Sequence, residues 1–183
     1  MSRLSIGSKI HDLSVSTIQG GTIAIPNKSS SLIHIQFRRH AGCPICNLHM
    51  RSVMKRYDEI RAAGVEEVVF FHSKEEDMKD HLGSLPFACV ADPGKDYYKV
   101  FGVETSLVGY LNPKNLIAAI KGTKELDPRI YTRRPENGNL GMPADFLINS
   151  DGAIVDLKYG TYADDQWTVD EILAKATSLR SHN

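Results

Sequence analysis

The sequence predicts an α/β fold in which parallel βαβ units share one core. Short β-branched or aromatic runs alternate with segments of helical period, and the run LIHIQF leads directly into a helix that opens Cys43-Pro44-Ile45-Cys46. The 183 residues contain no internal repeat, low-complexity tract or Pro/Ser-rich linker, so one domain spanning 1–183 is expected.

The amino-terminal part reads as a β-hairpin. Leu13 to Ser16 and Thr22 to Ile25 are short apolar runs around Gly20 and Gly21, which accept the positive φ of a tight turn. Leu32 to Phe37 is a stronger strand and stops at Arg38, Arg39 and His40. From Pro44 to about Ala63 a helix is predicted, with Ile45, Leu48, Val53, Tyr57 and Ile60 spaced for one buried face and Gly64 as terminator. Pro44 suits its first position, where no amide donor is needed. Val65 to Phe71 is the next strand, Lys74 to Leu82 a charged helix and Phe87 to Ala91 another strand. Asp92-Pro93 is read as starting a helix that carries Tyr97, Tyr98, Val100 and Phe101 and ends at Gly102. Asn115 to Lys121 predicts a further helical turn or two, and Gly122 to Gly141, rich in Pro, Gly, Asn and charge, a surface loop. Ala144 to Asn149 and Ala153 to Leu157 flank Ser150-Asp151-Gly152, a hairpin signal. Thr168 and Glu171 form a capping box for a last helix running towards Leu179, with Trp167 as the apolar residue before the cap.

Charge points to no macromolecular partner: 22 basic residues balance 22 acidic ones, and no run of five like charges occurs. Neither a nucleic-acid footprint nor a basic membrane patch is present. MSRLSIGSKI lacks the apolar core of a signal peptide, so a cytoplasmic protein is expected. Three cysteines are too few, and odd in number, for a secreted disulfide framework.

The pair Cys43 and Cys46 carries the chemistry. At a helix amino terminus, free amides and the positive end of the dipole favour thiolate over thiol. Cys46 lies one turn later, close enough to close a disulfide with an oxidised Cys43. Cys43 is thus the expected nucleophile, exposed to solvent at the helix start, and Cys46 the resolving thiol. Arg38 and Arg39 are near enough in sequence to add positive charge. Two other readings compete: a pair of buried structural thiols, and a zinc site from His40, Cys43, Cys46 and His49. Four positions spaced by three drift around roughly half a helical cylinder, which argues against convergence on one tetrahedral ion. No metal or other cofactor is expected.

These residues resemble the peroxiredoxin-like members of the alkyl hydroperoxide reductase and thiol-specific antioxidant group, which are built on a thioredoxin-like fold. Cys43-Pro44 resembles the peroxidatic Cys and following Pro. The segment from Phe87 to Gly102, with Ala91-Asp92 and Phe101-Gly102-Val103, is similar to the strand and helix inserted in that group and lacking in plain thioredoxins. Phe146 to Gly152 resembles its late strand and hairpin. The resemblance implies a thioredoxin-like fold with the peroxiredoxin-type insertion and an N-terminal β-hairpin, and a peroxide or disulfide as substrate. It also implies a thiol electron donor such as thioredoxin or glutathione. The main group's P-x-x-x-T-x-x-C departs here to Gln36 and His40, and Pro143 stands where an Arg precedes the late strand. His40 is a candidate substitute for that Thr, and Met142-Pro143 resembles the cis-proline step of thioredoxin proteins. The candidate site is therefore Cys43 and Cys46, with His40, Arg39, Pro44, Met142 and Pro143 binding substrate or tuning the thiols.

Outside it, Cys89 in PFACVA reads as core, His34 as structural, and His49 as packed or as a tuner of Cys46. Tyr97, Tyr98 and Phe101 are candidates for the core or for a homodimer interface.

Overall fold

The computed structural model describes residues 2–82, 84–103, 105, 106, 109, 111–125, 138 and 140–180. Strands β1 (Leu13–Ser16) and β2 (Thr22–Ile25) pair antiparallel as a separate hairpin. Gly20 and Gly21 turn it with φ of 81° and 112°, values that a residue bearing a side chain rarely adopts. β3 (Leu32–Arg38), β4 (Val65–Phe71), β5 (Ala88–Ala91), β6 (Ala144–Asn149) and β7 (Ile154–Tyr159) form the main sheet in the order β5-β4-β3-β6-β7. β3, β4 and β5 run parallel, and β6 pairs antiparallel with both β3 and β7.

The helices are α1 (Pro44–Lys55), α2 (Tyr57–Ala62), α3 (Glu75–Leu82), α4 (Asp96–Val100), α5 (Pro113–Glu125) and α6 (Val169–Arg180). Period-two alternation divides the strands between two apolar clusters. Ile33, Ile35 and Phe37 pack with Phe70, Phe146 and the hairpin on one face, where Tyr98 and Phe101 join them. Leu32, Val69 and Leu147 pack beneath Ile45, Met50, Val53, Ile60 and Ile172 on the other. The aromatic trio is thus core: Tyr98 and Phe101 are buried, and Tyr97 sets its ring edge-on to Phe70.

Several boundaries differ from the sequence reading. The single helix from Pro44 to Ala63 is two, because Arg56 leaves helical geometry (φ −119°, ψ 20°) and its amide bonds three residues back, to Val53. Asp92 does not open α4. Its carboxylate stands outside the helix and accepts the amides of Asp96, Tyr97 and Tyr98 at 2.9, 2.9 and 3.3 Å. α5 continues to Glu125, so 122–125 is helix rather than loop; packed on α1, it propagates further than its apolar pattern signals. Positions 126–137 and 139 of that expected loop lie outside the described residues. β7 reaches Tyr159 because its ladder with β6 continues to Ala144.

The capping box forms as its spacing requires: Glu171 N donates to Thr168 Oγ1 (3.2 Å) and Thr168 N to Glu171 Oε2 (2.7 Å). Among the described residues no helix is long and apolar enough to cross a membrane.

Candidate active site

The site forms where β3 ends. Tyr98 donates its hydroxyl hydrogen to the carbonyl of Arg38, and the chain turns through Arg39–Gly42 into α1. The turn is tied down by Ala41 N to Ser73 Oγ (3.0 Å), Cys43 N to His40 O (3.0 Å), and Asn47 Nδ2 to the carbonyls of Ala41 (2.5 Å) and Cys43 (3.0 Å). Cys43 is the N-cap of α1, extended at φ −78° and ψ 120°, and Pro44 takes the first helical position.

That extended backbone turns Cys43 Sγ back over the first turn, where it accepts the amide of Cys46 at 3.5 Å. Arg39 Nη1 approaches the same sulfur at 3.7 Å. Burial pushes the Cys43 thiol up, but the Cys46 thiol, the Arg39 guanidinium and the amides of Cys46 and Ile45 outweigh it and lower its pKa to about 6. Cys46 moves the opposite way, pushed well up by burial and by Cys43 itself. The two thiols are thereby poised as nucleophile and proton-bearing partner.

Two expectations about this pair need correction. Cys43 is not exposed: it and Cys46 are each 1% accessible, since Sγ points into the helix turn and Arg39 to Gly42 are themselves buried. Arg38 does not face the thiols. Its guanidinium lies against Gln36, Asp145 and His49 under α1, because successive side chains of an extended chain point to opposite faces.

The other expected residues fall around the same end of the sheet. His40 is buried with its ring 6.3 Å from that of His72. Gly141 lies against that second histidine, so that a Cβ built there would sit 2.8 Å from His72 Nε2 and 3.8 Å from Arg39 Cγ. Met142 and Pro143 follow, lining a cavity of about 260 Å³ with Val103, Ser106, Tyr159 and Thr161. The cis-proline expectation does not hold at Met142-Pro143: the cis bond among the described residues is Ile25-Pro26. Pro143 instead runs extended into β6, its carbonyl accepting Gly160 N at 2.8 Å as a continuation of the β6–β7 ladder.

Cys89 is fully buried on the sheet, and burial lifts its thiol to about 12. His34 is structural, buried between Glu67 and Asp145. No group of three or more His, Cys, Asp or Glu among the described residues is placed to hold a metal ion. Sequence reading missed Asn47, Ser73 and His72. Asn47, four residues beyond Cys43 in a helix's first turn, carried a readable signal, because an amide there reaches back to loop carbonyls. Ser73 and His72 carried none, since only strand pairing brings the end of β4 beside the end of β3.

A profile of the AhpC/TSA family matches residues 6–157, which include both cysteines, the inserted strand and helix, and the late hairpin. The chain belongs to the AhpC/TSA family. Membership makes it a thiol-dependent oxidoreductase. Solved structures agree on the fold. A protein described as a thiol:disulfide interchange protein, DsbE, from Chlorobium tepidum is similar over 94% of this chain and 98% of its own, with TM-score 0.61 and 18% identity. Peroxidoxin BcpB from Mycobacterium tuberculosis is similar over 97% and 99%, with TM-score 0.68 and 14% identity. A reduced 2-Cys peroxiredoxin from Plasmodium vivax is similar over 97% and 82%, with TM-score 0.68 and 13% identity. No curated protein sequence matches. In this chain Arg39 places its guanidinium at the Cys43 sulfur.

Proposed function

We propose that this protein reduces peroxides in the cytoplasm, with Cys43 as peroxidatic nucleophile and Cys46 as resolving thiol. One observation carries the reading: a thiol lowered to about 6 sits 3.7 Å from the Arg39 guanidinium and one helical turn from a second, protonated thiol. The Cys43 thiolate attacks the terminal peroxide oxygen and an S–O bond forms as the O–O bond breaks. The alkoxide or hydroxide that leaves takes a proton from water, and Cys43 becomes a sulfenic acid. Arg39 stabilises the negative charge that develops on the oxygens. Cys46 then attacks Cys43 sulfur, the S–O bond breaks and water leaves with the Cys46 proton, closing an intramolecular disulfide. An external dithiol returns two electrons and two protons.

Disulfide reduction by the same pair is the second reading, favoured by the absence of the Thr and Arg of the main group, at His40 and Pro143. Stopped-flow mixing of the reduced protein with hydrogen peroxide, compared with its reduction of a protein disulfide, separates the two. Faster oxidation by peroxide is expected, lost in Cys43→Ser and retained for the first step in Cys46→Ser. Disulfide turnover without peroxide oxidation would replace the first reading by the second.

A further inference from the structure

Beneath α1 the sheet presents polar groups where a helix ordinarily finds apolar ones. His34, Gln36 and Arg38 alternate along β3 on this face, with Glu67 of β4 and Asp145 of β6 beside them, all essentially inaccessible to solvent. His34 Nδ1 lies 2.9 Å from Glu67 Oε2, and its Nε2 lies 3.2 Å from Asp145 Oδ1. Gln36 donates its amide to Glu67 Oε2 at 2.5 Å, which turns its oxygen towards Arg38.

Counting hydrogens decides what His49 does. Arg38 Nη2 carries two hydrogens and has three acceptors in range: Asp145 Oδ1 at 2.5 Å, Gln36 Oε1 at 2.6 Å and His49 Nε2 at 3.2 Å. The two short contacts take both. With both hydrogens so placed, the tautomer with a hydrogen on Nε2 lets His49 join Arg38 Nε (3.1 Å) as a donor to Gln36 Oε1, 3.0 Å away. The charged groups around His49 are Arg38 and His34 of β3 and Asp145 of β6. Burial and Arg38 keep the ring neutral, so it serves as a hydrogen-bond donor throughout the working pH range.

We propose that His49 is a positioning residue for the thiol pair, tying α1 to the sheet so that the helix amides and Arg39 stay aimed at Cys43 Sγ. The proposal rests on the thiol chemistry above. His49 is three residues beyond Cys46 on the buried side of α1, so its bond to Gln36 fixes the height and rotation of the turn that contains both cysteines. The contacts that hold the thiolate, 3.5 Å from Cys46 N and 3.7 Å from Arg39 Nη1, stand at the long end of the hydrogen-bonding range. A small movement of α1 weakens both.

The test is the pH dependence of Cys43 alkylation in the reduced, full-length protein, followed by peptide mass spectrometry, with folding checked by circular dichroism. A wild-type Cys43 that does not react at mildly acidic pH overturns the thiol reading itself, before any variant is compared. Given a reactive wild type, His49→Leu is expected to raise the apparent Cys43 pKa by about one unit and slow labelling at pH 6 by about five-fold. His49→Gln, whose amide nitrogen can reach Gln36 Oε1, is expected to stay within about two-fold of wild type. A folded His49→Leu with the wild-type profile would reduce His49 to packing, and a His49→Gln that follows His49→Leu would refute the hydrogen bond. If His49→Leu does not fold, His49→Asn, which draws the amide back from Gln36, is expected to shift the profile in the same direction; an unchanged profile overturns the proposal.

Discussion

At the scale of single residues, three thiols with the same intrinsic chemistry are separated by where the chain places them. Cys43 is lowered by Cys46, Arg39 and two helix amides acting against burial, while Cys46 and Cys89 are raised by burial. Alkylation at pH 6.5 is expected to label Cys43 well before either of the others, and peptide mapping reads this directly; first labelling of Cys46 would reverse their roles. Arg39→Met removes the guanidinium but keeps a long side chain, and is expected to raise the Cys43 pKa by about one unit. Thiolate absorbance as a function of pH measures the shift, and an unchanged titration would show that the helix amides suffice. Both thiols are buried, so these rates report reactivity and access together, and comparison of one probe across variants isolates the first.

At the scale of elements, the helices that frame the site are held by their ends. α6 begins with the reciprocal bonds of Thr168 and Glu171, and Trp167 just before it packs on His34 at 5.6 Å between ring centroids. Thr168→Ala leaves an amide of the first turn without its cap and is expected to cost about 1 kcal/mol, read as a lower urea midpoint with unchanged slope. α4 is too short to be stable by itself and hangs on Asp92, whose carboxylate accepts three of its amides. Asp92→Ala is expected to cost about 2 kcal/mol, more than the capping-box variant, because it also loosens Tyr98, the residue that grips the end of β3. An Asp92→Ala protein as stable as wild type would show that the aromatic packing of Tyr98 and Phe101 holds α4 unaided.

At the scale of the whole molecule, the buried network balances two cations, Arg38 and His34, against two anions, Glu67 and Asp145. Burial alone would lower the His34 pKa, but the two carboxylates raise it from 6.5 to about 9. A raised pKa contributes stability that is complete below the unfolded value and lost as pH climbs through the folded one. His34 is therefore expected to withdraw roughly 3 kcal/mol between pH 6.5 and pH 9. Asp145 acts at the other end: Arg38 and His34 overcome its burial and hold it below the usual carboxylate range. Its contribution is present above its ordinary value of 3.8 and is lost as pH falls below it. Cys43, lowered from 9.0 to about 6, gains stability over the same alkaline window, and His49 and His72, both lowered by burial, lose it as pH falls below 6.5. The His34 contribution is therefore read as the difference between wild type and His34→Gln in urea unfolding across pH. That difference is expected to shrink by roughly 3 kcal/mol between pH 6.5 and pH 9, and a difference that stays constant would assign the pH dependence to other groups.

The alternation of apolar residues, the turn glycines, the capping box and the strand-to-helix position of Cys43-Pro44-Ile45-Cys46 are properties of neighbouring residues. The sequence by itself therefore determined the order of the strands and of the helices between them, except the break at Arg56, and the place of Cys43 and Cys46 at a strand-to-helix junction. Tertiary structure decided what depends on residues far apart in the chain. The polar period of His34, Gln36 and Arg38 was visible, but its partners, Glu67 and Asp145, arrive only when β4 and β6 pair with β3. Leu48 was read as a core position of α1, yet it is half-buried while His49 and Asn47 are buried, His49 against Gln36 of β3 and Asn47 against the carbonyls of Ala41 and Cys43. The burial of Cys43 and the seating of the Arg38 guanidinium against Asp145 follow from how the ends of β3, β4 and β6 meet. Those are contacts across space, which periodicity along the chain does not encode.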